Sequence, residues 1–186
     1  MINTPADAIR YRIGLVPEDR KGAGLVLNQS ISFNLTIGVL KSFIHGIRVD
    51  SNQENAIVDR YRNILSIKSS GPDQKCKELS GGNQQKVVLS KWMAIDPEIL
   101  ILDEPTRGID VGAKKEIYDL INRLSAQGLA ILFISSDLPE IIHLSHRVMI
   151  MCDGEIVKEI DAEQEELTQI KIMNYAIGRD EDGGNG

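Results

Sequence analysis

A chain of 186 residues, 42% hydrophobic and 26% charged, is long enough for one domain with a sizeable core and lies in the composition range of soluble globular proteins. Its formal net charge of -6 argues against a general nucleic-acid binder, which would carry a basic face or stripe. Cys76 and Cys152 are far apart, with no Cys-x-x-Cys spacing and no flanking His cluster, so neither a disulfide framework nor a zinc site is suggested and a reducing compartment fits.

In chain order, Arg12-Ile13-Gly14-Leu15-Val16-Pro17 reads as a short strand ended by proline, with the charged loop Glu18-Asp19-Arg20-Lys21-Gly22 after it. Residues 25–92 turn helical. Ser51-x-x-Glu54 has the form of a capping box, followed by Ile57, Val58, Tyr61, Ile64 and Leu65 at helical spacing. Residues 99–102 and 129–134 are apolar throughout, as strands covered on both faces of a parallel sheet require. Between them Ile117, Leu120, Ile121 and Leu124 mark an amphipathic crossover helix, which completes a βαβ unit. Residues 148–151 and 156–160 flank Asp153-Gly154, a hairpin turn signal, and a last helix is expected over about 162–177. The tail 179–186 is too polar and Gly-rich to pack. The longest apolar run, 129–134, is far below the ~18 residues of a membrane span, so any service to a membrane would run through a partner.

Two segments carry chemistry. Leu79-Ser80-Gly81-Gly82-Asn83-Gln84-Gln85-Lys86 puts a hydroxyl and two side-chain-free amides at a helix start, where partial positive charge and close backbone approach suit a phosphate. On its own it is equally a Ser N-cap with a glycine-rich entry. Ile99-Leu100-Ile101-Leu102-Asp103-Glu104-Pro105 delivers adjacent carboxylates at the end of an apolar strand, the edge at which parallel sheets place ligands. Asp103 there suits Mg²⁺, and Glu104 could hold or deprotonate an attacking water. Alone, this too could be an acidic turn. His45, His143 and His146 lack neighbouring ligands at metal spacing.

In this order the motifs resemble those of ATP-binding cassette (ABC) ATPases. Residues 79–86 resemble the signature motif, 99–104 the Walker B strand, and Gly108-Ile109-Asp110 the D-loop. The wording Leu-Ser-Gly-Gly-Asn-Gln-Gln-Lys with Asp-Glu-Pro-Thr-Arg-Gly-Ile-Asp-Val-Gly-Ala-Lys-Lys-Glu-Ile-Tyr looks like the second cassette of bacterial monosaccharide importers of the ribose, galactose, xylose and arabinose group. Pro17-Glu18-Asp19-Arg20-Lys21 with Gly24-Leu25 matches the same subgroup. The likeness runs from about residue 4 to 178.

What the resemblance implies is an α/β fold: a P-loop NTPase (RecA-like) ABC core lacking its N-terminal P-loop portion, with a helical signature subdomain. It implies the end of the N-terminal core portion over 1–24, the signature subdomain over 25–92, and a core with Walker B, D-loop and C-terminal hairpin and helix over 93–178. Asp103 would serve Mg²⁺ and Glu104 would be catalytic. Ser80, Gly81, Gly82, Asn83, Gln84, Glu18, Asp110 and Ser136 would surround ATP. Partners would be a second cassette arranged head to tail, membrane permease subunits facing the helical lobe and the Glu18 loop, and indirectly a periplasmic sugar-binding protein, with no nucleic acid. The place would be the cytoplasmic face of the bacterial inner membrane, peripherally.

Three departures from the general pattern stand out. No Gly-x-x-x-x-Gly-Lys-Ser/Thr occurs, so the sequence looks like the C-terminal part of a cassette whose P-loop lies upstream of residues 12–16. Ser136 stands where a phosphate-sensing His is usual, and cannot carry imidazole's charge. Glu18 stands where the Q-loop Gln is usual. The expectation is therefore a degenerate site on Asp103 and Glu104, with the Ser80 helix completing the competent site of the other cassette. Two other readings stay open: the ATPase head of a chromosome-maintenance or repair protein, whose long heptads are not seen here, and a non-catalytic fragment that only pairs with a partner cassette.

Overall fold

The computed structural model describes residues 1–45 and 48–178, so the tail at 179–186 lies outside the described residues. The chain divides into two compact units, Met1–Ile134 and Ser135–Gly186.

The first unit begins with α1 (Pro5–Arg10), which the sequence reading did not anticipate. Thr4 and Asp7 form a full capping box and Pro5 takes the first helical turn, where its missing N–H costs nothing. Next comes β1 (Ile13–Val16), and a π-helical turn over Arg20–Gly24 whose entry is held by Asp19, which accepts from Lys21 N and Gly22 N.

The helical lobe contains α2 (Ile31–Thr36), the short strands β2 (Ile44–His45) and β3 (Arg48–Val49), α3 (Ser51–Ile64) and α4 (Gly81–Met93). Ile31, Leu35, Phe43, Val58, Val87, Val88 and Leu89 are fully buried, each worth about 1.5–3 kcal/mol relative to exposure. Asn34, also buried, replaces missing backbone pairing: its Oδ1 accepts from Val26 N at 2.7 Å and its Nδ2 donates to the carbonyls of Val26 and Ser30. Tyr61 closes the lobe by donating its hydroxyl to Met93 O at 2.8 Å.

The structure departs from two local expectations in the lobe. The N-cap of α3 is Asp50, whose carboxylate accepts from Asn52 N and Gln53 N, so Ser51 lies inside the helix. Asp caps as well as Ser does, and Glu54 is drawn instead to the hydroxyls of Ser32 and Thr36. Ile64 lies at the rim of the lobe and is exposed, while Val58 and Tyr61 face inward.

After the lobe come β4 (Ile99–Asp103), α5 (Val111–Ala126) and β5 (Ala130–Ile134). The parallel sheet has the order β1-β4-β5, with Val16 beside Leu102 and Asp103 beside Ile134. The buried residues of α5 are Ile117, Leu120, Ile121 and Leu124, the four the periodicity singled out. The expectation that both faces of these strands are covered does not hold. Val16, Leu100 and Leu102 are buried under the helices, and Gly14 lets Trp92 of α4 approach, since a Cβ there would stand 3.3 Å from Trp92 Cβ. The alternate positions Leu15, Ile99, Leu132 and Ile134 are 40–46% exposed. An all-apolar strand records what its faces need, not which neighbour supplies it.

The second unit comprises α6 (Leu138–Leu144), the antiparallel pair β6 (Arg147–Cys152) and β7 (Glu155–Asp161), and α7 (Gln169–Ala176). Asp153 and Gly154 both have positive φ, the requirement of a tight primed turn. The last helix is shorter than expected: residues 162–164 form a turn, and Thr168 caps the start by accepting from Lys171 N. Among the described residues of this unit, Ile141, Val148, Ile150, Ile160 and Ile172 are buried. Among the described residues no helix is long and apolar enough to cross a membrane.

Candidate functional site

The segment before α4 presents a helix start to solvent. Ser80 is its N-cap, exposed, and its Oγ accepts from Asn83 N at 3.4 Å and from Asn83 Nδ2 at 3.0 Å. Gly81 and Gly82 form the first turn, so their amides have no intrahelical partner and add to the positive end of the helix dipole. Gly82 is also a packing requirement, because a Cβ there would lie 2.6 Å from Ala113 Cβ of α5. Asn83 also ties this turn to the preceding loop, its Oδ1 accepting from Lys68 N at 2.8 Å. Gln84 is buried, and its Nε2 donates to Cys76 O at 3.1 Å, so this predicted site residue faces the lobe interior.

Asp110 is the N-cap of α5, accepting from Ala113 N at 2.9 Å. It joins Ser80, Gly82 and Asn83 around one concavity of about 250 Å³, completed by Lys68, Lys86, Gly112, Ala113 and Glu116. Three of these side chains, Lys68, Lys86 and Glu116, have no role that the motifs alone assign. Lys86 is buried, pairs with Glu116 at 2.5 Å and donates to Ser66 O at 3.2 Å; Lys68 stands 4.0 Å from the same carboxylate. The hydrogen bond from Lys86 is the main cause that holds the Glu116 carboxyl below its ordinary value. A polar residue six places past the cap, on a helix buried nearly all round, was the available signal.

Asp103 and Glu104 are not among the residues lining that concavity. They occupy the C-terminal edge of the parallel sheet, with Asp103 as the last residue of β4 and Glu104 directly after it. Glu104 has φ +44, a left-handed backbone that turns the chain sharply, and its N–H donates to Ile134 O at 2.9 Å. Pro105 and Thr106 behind it are buried. Glu18, two residues beyond the end of β1, lies at the same edge and pairs with Arg107. Ser136 belongs to the second unit, where it is exposed. Among the described residues no group of three or more His, Cys, Asp or Glu is arranged to hold a metal ion. A single carboxylate at a sheet edge nevertheless fits Mg²⁺, which keeps several waters and takes other ligands from phosphate oxygens.

Residues 4–107 match the ABC transporter family. This chain belongs to that family. The cassette is 51% identical over 176 residues to the ribose import ATP-binding protein RbsA of Shouchella clausii, covering 95% of this chain and 35% of that protein. To the protein of the same name from Halalkalibacterium halodurans it is 48% identical over 179 residues, covering 96% and 36%. The chain thus spans about a third of the length of these curated relatives and is a partial cassette. A dimeric ATP-binding cassette solved in a post-hydrolysis state with ADP and Pi shares the fold with TM-score 0.70 at 20% identity, over 86% of this chain and 68% of that one. A nucleotide-free cassette from an ABC transporter gives 0.68 at 22% identity, over 86% and 64%.

Proposed function

We propose that this partial cassette contributes the signature helix and the Walker B edge to an ATP-hydrolysing subunit of a bacterial monosaccharide importer. The observation that carries the proposal is the separation of two polar sites on one chain. Ser80, Gly82 and Asp110 share a concavity, whereas Asp103 and Glu104 stand outside its lining at the sheet edge. That separation supports assigning them to two nucleotides, one held by this cassette and one by its head-to-tail partner. The relatives named for ribose import make ribose the first sugar to test. They give no support to the chromosome-maintenance alternative.

At the sheet edge Asp103 would hold Mg²⁺, whose charge neutralises phosphate oxygens when bound, and Glu104 would orient the attacking water. Glu18 does not present a free carboxylate there, because Arg107 engages it, and Ser136 carries no imidazole charge. Both facts favour a degenerate home site. Ser80, Gly81 and Gly82 would instead donate to the γ-phosphate of ATP on the partner. We place the helical lobe at 25–92 and the core at 93–178, with the lobe and the loop after β1 toward permease subunits at the cytoplasmic face of the membrane. Without a Gly-x-x-x-x-Gly-Lys cradle in its sequence, the chain alone is not expected to hold ATP.

The test is sugar uptake and ATP turnover in the assembled importer. Ser80→Arg, which fills the helix start with a long cation, abolishes both, while Glu104→Gln has the smaller effect. Equal loss from the two changes overturns the assignment to separate sites. Micromolar Mg-ATP binding by the purified chain without a partner overturns its dependence on one.

A further inference from the structure

Two side chains of the loop after β1 reach the segment that follows Glu104, in different ways. Glu18 meets the Arg107 guanidinium, an exposed pair that solvent screens. Arg20 binds the backbone of the same segment: its Nη1 donates to Arg107 O at 2.7 Å and its Nη2 to Gly108 O at 3.1 Å. Two successive carbonyls thus accept from the two terminal nitrogens of one planar group, a fork that Lys cannot reproduce. The same guanidinium covers the start of α4. A Cβ on Gly81 would lie 3.0 Å from Arg20 Nη2 and 3.3 Å from Gly108 O. The loop after β1, the D-loop and the signature helix therefore meet at Arg20. On either side of that junction stand the two caps of the concavity, Ser80 next to Gly81 and Asp110 two residues past Gly108.

We propose that Arg20 is a positioning residue: its guanidinium fixes the backbone of residues 107–108 against Gly81 and so sets the separation of Ser80 from Asp110. It touches no nucleotide in this role. A displacement of the loop after β1 reaches both caps through one rigid group, without passing through the sheet. The idea rests on the nucleotide role proposed above for Ser80 and Asp110, but the latch itself is a property of this chain and is measurable on it.

The test is amide hydrogen exchange on the whole chain for wild type, Arg20→Ala, Arg20→Lys and Arg107→Ala. Arg20→Ala should speed exchange over residues 80–84 and 107–113 by roughly tenfold while leaving the β6–β7 hairpin unchanged. Arg20→Lys, which keeps the charge and one bond, should recover part of the protection. Arg107→Ala, which keeps both carbonyls, should leave it near wild type. Unchanged exchange in Arg20→Ala, equal acceleration in the hairpin, or an Arg107→Ala effect as large as that of Arg20→Ala would each overturn the proposal. With a partner cassette that carries the phosphate cradle, Arg20→Ala should lower kcat for ATP about tenfold and leave KM within about twofold, as expected of a group that shapes the site without binding substrate. A rise in KM instead refutes positioning. If the wild-type chain supports no such turnover, the importer reading fails, and the exchange data still decide the latch.

Discussion

The second glycine of the signature segment is open to a test that needs no nucleotide. Replacing Gly82 with Ala places a Cβ 2.6 Å from Ala113 Cβ, against an ordinary carbon contact of about 3.5–4.0 Å. Neither atom is the end of a flexible side chain, so the starts of α4 and α5 must separate by about 1 Å. Overpacking of this kind costs about 1–3 kcal/mol, and the helix propensity gained by Ala over Gly returns at most about 0.5–1 kcal/mol. The net loss of about 1–2 kcal/mol corresponds to a Tm lower by roughly 2–8 °C at this chain length. Ala113→Gly should cost about 0.5–1 kcal/mol alone through helix propensity, yet in the double variant it removes the clash. The assay is urea unfolding of the four proteins followed by circular dichroism. A coupling of about 1 kcal/mol or more in the rescuing direction is expected for residues in direct contact. Additive behaviour, or a Gly82→Ala protein as stable as wild type, would refute the account of Gly82 as a packing requirement.

Two further outcomes follow from buried groups. Cys76 has no solvent exposure, and burial pushes its thiol up to about 11, so at pH 8 only about one part in a thousand is thiolate. A thiol reagent should therefore label the native chain once, at Cys152, and the unfolded chain twice; labelling of both at equal rates under native conditions would contradict the burial. Glu116 is held below its ordinary value of 4.5, first by the Lys86 hydrogen bond, so the stabilisation it confers is present above that value and lost as pH falls through the lower folded one. Glu116→Gln should cost about 1–3 kcal/mol at pH 7, discounted from a fully buried pair because the Glu116 side chain is 47% exposed. The gap in urea midpoint should narrow as pH falls below 4.5, and a gap constant from pH 7 into that range would exclude the pair as its source.

What the sequence made legible was set by local chemistry. The inward stripe of α5 was readable because a helix packed on one side shows its period directly, and the Asp153-Gly154 turn because only a few residue pairs tolerate two positive φ angles. The α3 cap was misplaced by one residue because Asp50 and Ser51 are both good caps and the pattern cannot say which wins. The short α1 went unread although Thr4, Pro5 and Asp7 carry a complete start signal, since a helix of six residues has little room for periodicity. At the candidate site, the sequence placed Ser80 at a helix start and Asp103 at the end of a strand, where the structure has them. Gln84 faced inward because α4 is buried on nearly every side. Arg20 could not be read at all, since it bonds carbonyls 87 and 88 residues away and backbone acceptors leave no mark in a sequence.

The left-handed backbone at Glu104 has an evolutionary consequence. A residue with a Cβ gives up about 1–2 kcal/mol in that conformation, a cost that Gly does not bear. On backbone grounds alone Gly would be favoured at this turn, so the Glu104 side chain must offset that cost through what it does, in the fold or in the chemistry. A relative with Gly at the corresponding turn would be relieved of that backbone cost and would have given up the carboxylate in exchange.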